Sequence, residues 1–447
     1  NMAGPLGYLS TTCRANNIVV LDPLTVQFNF TAPYIPFLKQ LNVTEAAVNP
    51  ASALPAFPPG VDGCPTQAQA DAVKVGTGPF KFDSINQPQA DDGKVVRNPS
   101  YWRPGLPFLD AILMRPYTDE TARHTALVNG QVDFVWDAAN SKVAELNANP
   151  AFRTGATQAL GGGPNSIDTV VFNLKASGSS VASVANGTAA PHPVLGDLRV
   201  RTAIFHAFDR QEFLDGGRYG IGKVAVAPIS SEIFGHAPDL DLPGHNLNAA
   251  DALLNAAGWN GPRQTVNGTA DVRTALGHPT LADGTALTIR FLQGSVMFND
   301  RVAVMKSNLA AVGIDLAVEV DTAMGSANTK VFTNRNFDLY IVNYAHGYDP
   351  HVGVRRQYHS DQISTSGTPN NAAGYRNALV DAAFDDAART LDAAARFDLY
   401  HAAQEQIVAD LPYVWMIETP NVRAWSARCT GIKTFELFAE RAGCKPA

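Results

Sequence analysis

The stretch from Gly76 to Trp136 constrains the fold more than any other part of the chain. It opens on Gly76-Thr77-Gly78-Pro79, a tight turn in which glycine accepts positive φ and proline fixes the exit. Lys81 to Ser84 and Lys94 to Arg97 read as two strands of a hairpin-like pair. Asn98-Pro99 ends the second, because a residue before proline is pushed out of the helical region. Ala111 to Arg115 reads as a further strand. A helix should follow, capped by Thr118 or Asp119, with acids in its first turn and Asn129-Gly130 at its end. Val132 to Trp136 then returns as a strand.

Around this stretch the order of pieces is that of an α/β protein. Before it come a strand at Thr25 to Phe30, a helix near Tyr34 to Leu41 and a proline-rich loop from Pro50 to Pro65. After it, Ser141 to Asn147 reads as a short helix and Gly161-Gly162-Gly163-Pro164 as a flexible connection. That glycine run lacks the Gly-Lys-Ser/Thr ending of a phosphate loop. Thr169 to Asn173 has the apolar character of a buried strand, and residues 176–193, rich in Ser, Ala, Gly and Thr, read as a surface loop. Asp197 should cap a helix with Val200, Ile204, Phe205 and Phe208 on one face, and Asp209 should cap the next. Helix at Ala250 to Gly258, strand at Leu287 to Leu292, helix at Asp300 to Gly313 and strand at Ile314 to Val320 follow in turn. Phe337 to Val342 is a strand with Asn343 to Pro350 as the loop at its carboxyl end. Two helices, Leu379 to Leu391 and Ala393 to Ala409, precede strands at Val414 to Ile417 and Val422 to Trp425.

At 447 residues the chain exceeds the usual single core, so two or three lobes are expected. A net charge of −7 disfavours nucleic acid as a partner, and no apolar run is long enough to span a bilayer. The four cysteines, Cys13, Cys64, Cys429 and Cys444, form no zinc pattern. Pairs Cys13–Cys64 and Cys429–Cys444 would each close a loop-rich segment and suit an oxidising compartment; four separate buried thiols are the alternative. The chain has no Gly-x-Ser-x-Gly elbow, His-Glu-x-x-His or P-loop, so no enzyme and no cofactor is expected. A secreted hydrolase built on a carboxylate pair is the competing class, since two acids need no spacing rule.

The string Gly-Thr-Gly-Pro-Phe-Lys-Phe (76–82), Val-Val-Arg-Asn-Pro-Ser-Tyr-Trp (95–102), Leu109-Asp110, Met-Arg-Pro (114–116), Asp119, Arg123, Ala126-Leu127, Gly130 and Val132-Asp133 resembles the extracytoplasmic solute-binding proteins of ABC importers, specifically the peptide/nickel-binding family 5. Asp-Leu-Arg-Val-Arg-Thr-Ala (197–203) with Asp209-Arg210, and Tyr413-Val414-Trp415 after Leu411-Pro412, match the same family. The resemblance implies a type II, cluster C periplasmic-binding-protein fold of two α/β lobes, a Venus flytrap, with an extra domain inserted in the first. It implies the end of that inserted domain at 1–70, the first ligand lobe at 71–175, the second at 176–418 and a return to the first at 419–447. Relatives carry a longer amino-terminal part, with an export signal, before the point where this sequence begins. The implied function is capture of a peptide or similar small polar solute between the lobes. A monomer would deliver it to the permease transmembrane subunits, in the periplasm or on the outer face of a bacterial cytoplasmic membrane.

Open α/β sheets bind ligands outside the carboxyl ends of their strands, which makes Asn343-Tyr344-Ala345-His346-Gly347-Tyr348-Asp349-Pro350-His351 the first candidate site. Asn343, Tyr344, Ala345, His346, Tyr348 and Asp349 are the candidate ligand-binding residues. In peptide-binding relatives an aspartate three positions before the Asp-Pro unit pairs with the ligand's α-ammonium; His346 stands there, and a neutral imidazole cannot replace a fixed carboxylate. Nickel-chelate-binding relatives carry Tyr-Asp-Pro-His, which Tyr348 to His351 repeats. In a chelate reading His351 and His359 would be the metal-site histidines. The plainer alternative is that Asp349 caps a helix with Pro350 in its first turn.

Overall fold

The computed structural model describes residues 18–30, 32–41, 76–86, 92–117, 119–156, 166–364, 370–432 and 441–445. The proline-rich loop at 50–65, the glycine run at 161–163, Thr118, and Cys13 with Cys64 lie outside the described residues. The chain divides into two units, 1–163 with 420–447, and 164–419.

In the first unit β1 (Ile18–Asp22) and β2 (Thr25–Phe28) form an antiparallel pair, followed by the short helix α1 (Phe37–Gln40). The stretch from Gly76 folds as its turn and breaker residues require. β3 (Phe80–Asn86), β4 (Asp92–Arg97) and β5 (Ala111–Met114) make an antiparallel three-stranded sheet. Asp119 accepts from the Ala122 N–H at 2.7 Å and starts α2 (Glu120–Val128). The returning strand β6 is short, Phe134–Val135. After α3 (Val143–Ala148), β7 (Phe152–Ala156) and β6 flank β16 (Val422–Ser426) in a second three-stranded sheet. Cys429 and Cys444 are disulfide-bonded across the two-residue strands β17 (Cys429–Thr430) and β18 (Gly443–Cys444).

The second unit is built on six strands in the order β13-β12-β14-β8-β15-β9. They are β8 (Ser166–Phe172), β9 (Lys223–Val224), β12 (Thr288–Gln293), β13 (Asp315–Val320), β14 (Leu339–Ala345) and β15 (Tyr413–Thr419). β12 runs parallel to β13 and β14, while β8 is antiparallel to both β14 and β15. One end of the sheet therefore collects the carboxyl ends of β12, β13, β14 and β15 and the amino ends of β8 and β9. The central strands β8 and β15 are buried at every position, as strands covered on both faces must be. Fully buried Trp415, Tyr413, Phe172, Phe205 and Phe213 belong to one continuous core, each such side chain contributing on the order of 1.5–3 kcal/mol.

The helices of this unit start where their carboxylates stand. Asp197 accepts from the Arg199 N–H and Asp209 from those of Gln211 and Glu212, opening α5 (Leu198–Ala207) and α6 (Arg210–Arg218). Arg201 ties α5 to the end of α13 (Ala393–Asp410), donating to the Asp410 and Leu411 carbonyls at 2.7 and 3.0 Å. Three local features depart from the sequence reading. Residues 176–193 contain α4 (Val181–Ala185), capped by Ser180, which buries Val184 against Ala189 and Ile363. α7 (Leu247–Ala256) begins earlier than expected, with Asn246 as its cap. A hairpin, β10 (Gly261–Val266) and β11 (Thr269–Thr274), turns at Asn267-Gly268, both with positive φ. The remaining α-helices among the described residues are α8 (Asn299–Ala311), α9 (Met324–Asn328), α10 (Pro350–Gly353), α11 (Arg355–Tyr358) and α12 (Ala378–Ala387).

Candidate functional site

β14 runs on to Ala345, so Asn343, Tyr344 and Ala345 are strand residues and the connection to α10 is only 346–349. Strand alternation then parts the candidate residues. Asn343 is exposed and pairs in register with Asp168; its amide donates to Asp168 Oδ1 at 2.9 Å and to Thr419 Oγ1 at 2.7 Å. Tyr344 turns to the other face, fully buried, donating to the Asn370 carbonyl at 2.8 Å and packing edge-on against Tyr413. The Ala345 carbonyl accepts from Arg356 at 2.8 Å.

His346 is fully buried. Its Nδ1 accepts from the Ser230 N–H at 3.1 Å, which puts the ring proton on Nε2, and Nε2 has no partner among the described residues. Burial, aided by the Arg356 charge, pushes its pKa down to about 3, so the ring is neutral. Tyr348 is 36% exposed. Asp349 caps α10 through the His351 N–H, with Pro350 at the first helical position, and forms a buried ion pair with Arg396 at 2.8 and 2.9 Å. His351 is buried with Nδ1 3.3 Å from the Phe384 carbonyl, and burial pushes its pKa down to about 4. For His359, burial acts downward but hydrogen bonds to Asp361 and Asp385 prevail and raise it to about 9. Arg355 also contacts its ring, at 2.9 Å. Among the described residues no group of three or more His, Cys, Asp or Glu is arranged to hold a metal ion.

The same sheet end brings together residues that no sequence motif marks. On the Asn343 face, Asp168 is 1% exposed and its Oδ2 lies 3.5 Å from Arg218, at the end of α6, and 3.4 Å from Arg301, in the first turn of α8. On the Tyr344 face, Glu418 is equally buried; it accepts from Ser231 N and Oγ at 3.2 and 2.7 Å and from Ser230 Oγ at 3.2 Å, with Lys223 Nζ 3.5 Å away. Gly222 permits this approach. Its φ is +127°, and a Cβ there would come within 2.6 Å of the Glu418 carbonyl oxygen. Ser230 joins His346 to Glu418, donating to the first through its N–H and to the second through its hydroxyl. The sheet end is thus a polar rim with fixed charges of both signs and an exposed amide beside them. Such a rim can orient a small polar molecule.

The sequence profile described as "Bacterial extracellular solute-binding proteins, family 5 Middle" matches residues 3–365. The glutathione-binding protein GsiB of Pectobacterium atrosepticum is 24% identical over 414 residues, covering 92% of this chain and 70% of that protein. The chain spans about two thirds of the length of its curated relatives, 66% for Protein XP55 of Streptomyces lividans. Among solved structures, NikZ of Campylobacter jejuni in complex with Ni(L-His) superposes with a TM-score of 0.73 at 17% identity, covering 93% of this chain and 74% of that one. DppA of Helicobacter pylori in complex with the peptide STSA gives 0.67 at 20% identity, covering 95% and 74%. These likenesses establish the cluster C periplasmic-binding-protein fold.

Proposed function

The chain belongs to family 5 of the bacterial extracellular solute-binding proteins, and from that premise we propose that it is the solute-capturing component of an ABC importer. It takes up a peptide or similar small polar zwitterion and hands it to the permease transmembrane subunits, outside the cytoplasmic membrane. The family is one of binders, not catalysts, which sets aside hydrolysis by a carboxylate pair. No helix among the described residues is long and apolar enough to cross a membrane.

The observation that carries the ligand class is the polar rim of the six-stranded sheet, where cationic Arg218, Arg301 and Lys223 stand beside the carboxylates of Asp168 and Glu418. A ligand bearing both an ammonium and a carboxylate matches fixed charges of both signs. The chelate reading finds less support, because His351 and His359 are buried and engaged within the unit. Asn343 and Tyr348 are the two exposed sequence candidates, with Ala345 half-buried between them, and we assign the two to the ligand surface. Native mass spectrometry of the purified protein, followed by denaturing release, tests the proposal. Released peptides or a single amino-acid-like mass support it; a metal-bearing mass overturns it in favour of the chelate.

A further inference from the structure

We propose that Arg301, held with Arg218 around the single carboxylate of Asp168, is a receiving site for a carboxylate group of the solute. The inference rests on the solute-binding reading and specifies one half of the ligand. Its starting point is an incomplete set of contacts. Arg301 is 6% exposed, yet its Nε has no hydrogen-bond partner among the described residues. Its guanidinium meets Asp168 Oδ2 at 3.4 Å and lies 4.8 Å from the centre of the Phe298 ring. Asp168 satisfies it only weakly. Oδ1 is occupied by Asn343 at 2.9 Å, and Oδ2 is shared between Arg301 and Arg218 at distances well beyond the ~2.7–2.9 Å of a charge-assisted hydrogen bond. A buried guanidinium with an unpartnered Nε and one long ionic contact is costly, so its retention favours a further acceptor with negative charge.

The position favours a ligand group as that acceptor. Arg301 sits at the start of α8, just past the carboxyl end of β12, and Asp168 is beside the exposed Asn343 near the carboxyl end of β14. This is the sheet end where open α/β folds receive ligands. The stem of Arg301 is fixed. Gly217 of α6 packs so closely that a Cβ there would lie 3.0 Å from Arg301 Cγ and 3.1 Å from its Cα. The planar fork of a guanidinium matches the two oxygens of a carboxylate. Asp168 then acts as a resident counterion that keeps both arginines in place until the solute arrives.

Sodium formate is the probe, compared with sodium chloride at equal ionic strength, on protein unfolded and refolded to strip bound solute. Thermal midpoints and titration calorimetry should show formate binding to the wild type. Arg301→Gln should weaken it about tenfold or more, the scale of one lost charge-assisted hydrogen bond. Asp168→Asn should act in the opposite direction and tighten formate binding, because the competing anion is gone. Were Arg301 only a partner for Asp168, Asp168→Asn would destabilise the fold without any gain in formate affinity. That result, no formate effect on the wild type, or equal binding by Arg301→Gln, overturns the proposal. A protein that releases a native solute but binds formate independently of Arg301 keeps the importer reading and loses this site. One that binds formate at Arg301 but releases no solute does the reverse.

Discussion

The histidines of the second unit show how little a residue type says before its surroundings are known. His346 and His351 are held neutral by burial, with pKa values near 3 and 4, whereas His359 is held charged to about 9 by its carboxylate partners. The signs of their stability contributions are opposite. His346 and His351 would take up protons on unfolding below about pH 6.5, so their contribution is complete above that pH and is lost as pH falls toward 4 and 3. His359 releases its proton on unfolding, so its contribution is complete below about pH 6.5 and is lost as pH rises through 9. We expect the unfolding midpoint in urea to be highest near pH 6.5–7. The acid side should fall by up to about 1.4 kcal/mol per pH unit for each neutral histidine. Replacing His346 and His351 with glutamine should flatten the acid limb alone; an unchanged acid limb would refute the assignment. His346→Ala should also weaken solute binding, because the ring positions Ser230 and, through it, Glu418.

At the scale of elements, the loop after β14 is fastened to the helical layer by one buried ion pair. Asp349 caps α10 and accepts two contacts from Arg396 of α13, whose Nε also donates to the Ala387 carbonyl. Removing the carboxylate alone leaves a buried guanidinium without its counterion, so Asp349→Ala should cost about 3–5 kcal/mol in urea unfolding. Adding Arg396→Met should recover part of that loss. A double mutant no more stable than Asp349→Ala would show that the cap, not the ion pair, carries the effect. The capping role was legible in the sequence, since an Asp-Pro step before a short polar run starts a helix. Asp119, Asp197 and Asp209 were legible for the same local reason. What was not legible depends on tertiary placement. The hairpin at Asn267-Gly268 hides in strands of mixed polarity, with β10 largely exposed. α4 is too short for a periodic signal, and β14 extends through Asn343 because Asp168 and Thr419 supply partners for its amide. Asp168, Arg218 and Arg301 belong to three elements distant in sequence, so no spacing rule could join them; only the strand order does.

On the scale of the whole molecule, the family profile runs through both units, over residues 3–365, while the charges that would select a solute lie in the second. All six strands of the large sheet, and every residue of its continuous core, fall within 164–419. The buried groups of the polar rim find their partners inside the same boundaries: Asp168 with Arg218, Arg301 and Asn343, and Glu418 with Ser230, Ser231 and Lys223. A unit of this size with its own core has enough buried apolar surface to fold alone. We therefore expect a chain of residues 164–419 to unfold in one cooperative urea transition, with the near-ultraviolet circular dichroism of packed Trp259 and Trp415. It should also keep the Arg301-dependent response to formate, since none of the groups that define that response lies outside it. A fragment lacking near-ultraviolet signal would mean that the rest of the chain is needed to order this core. A folded fragment without the formate response would refute the assignment of that response to Arg301 and Asp168 alone.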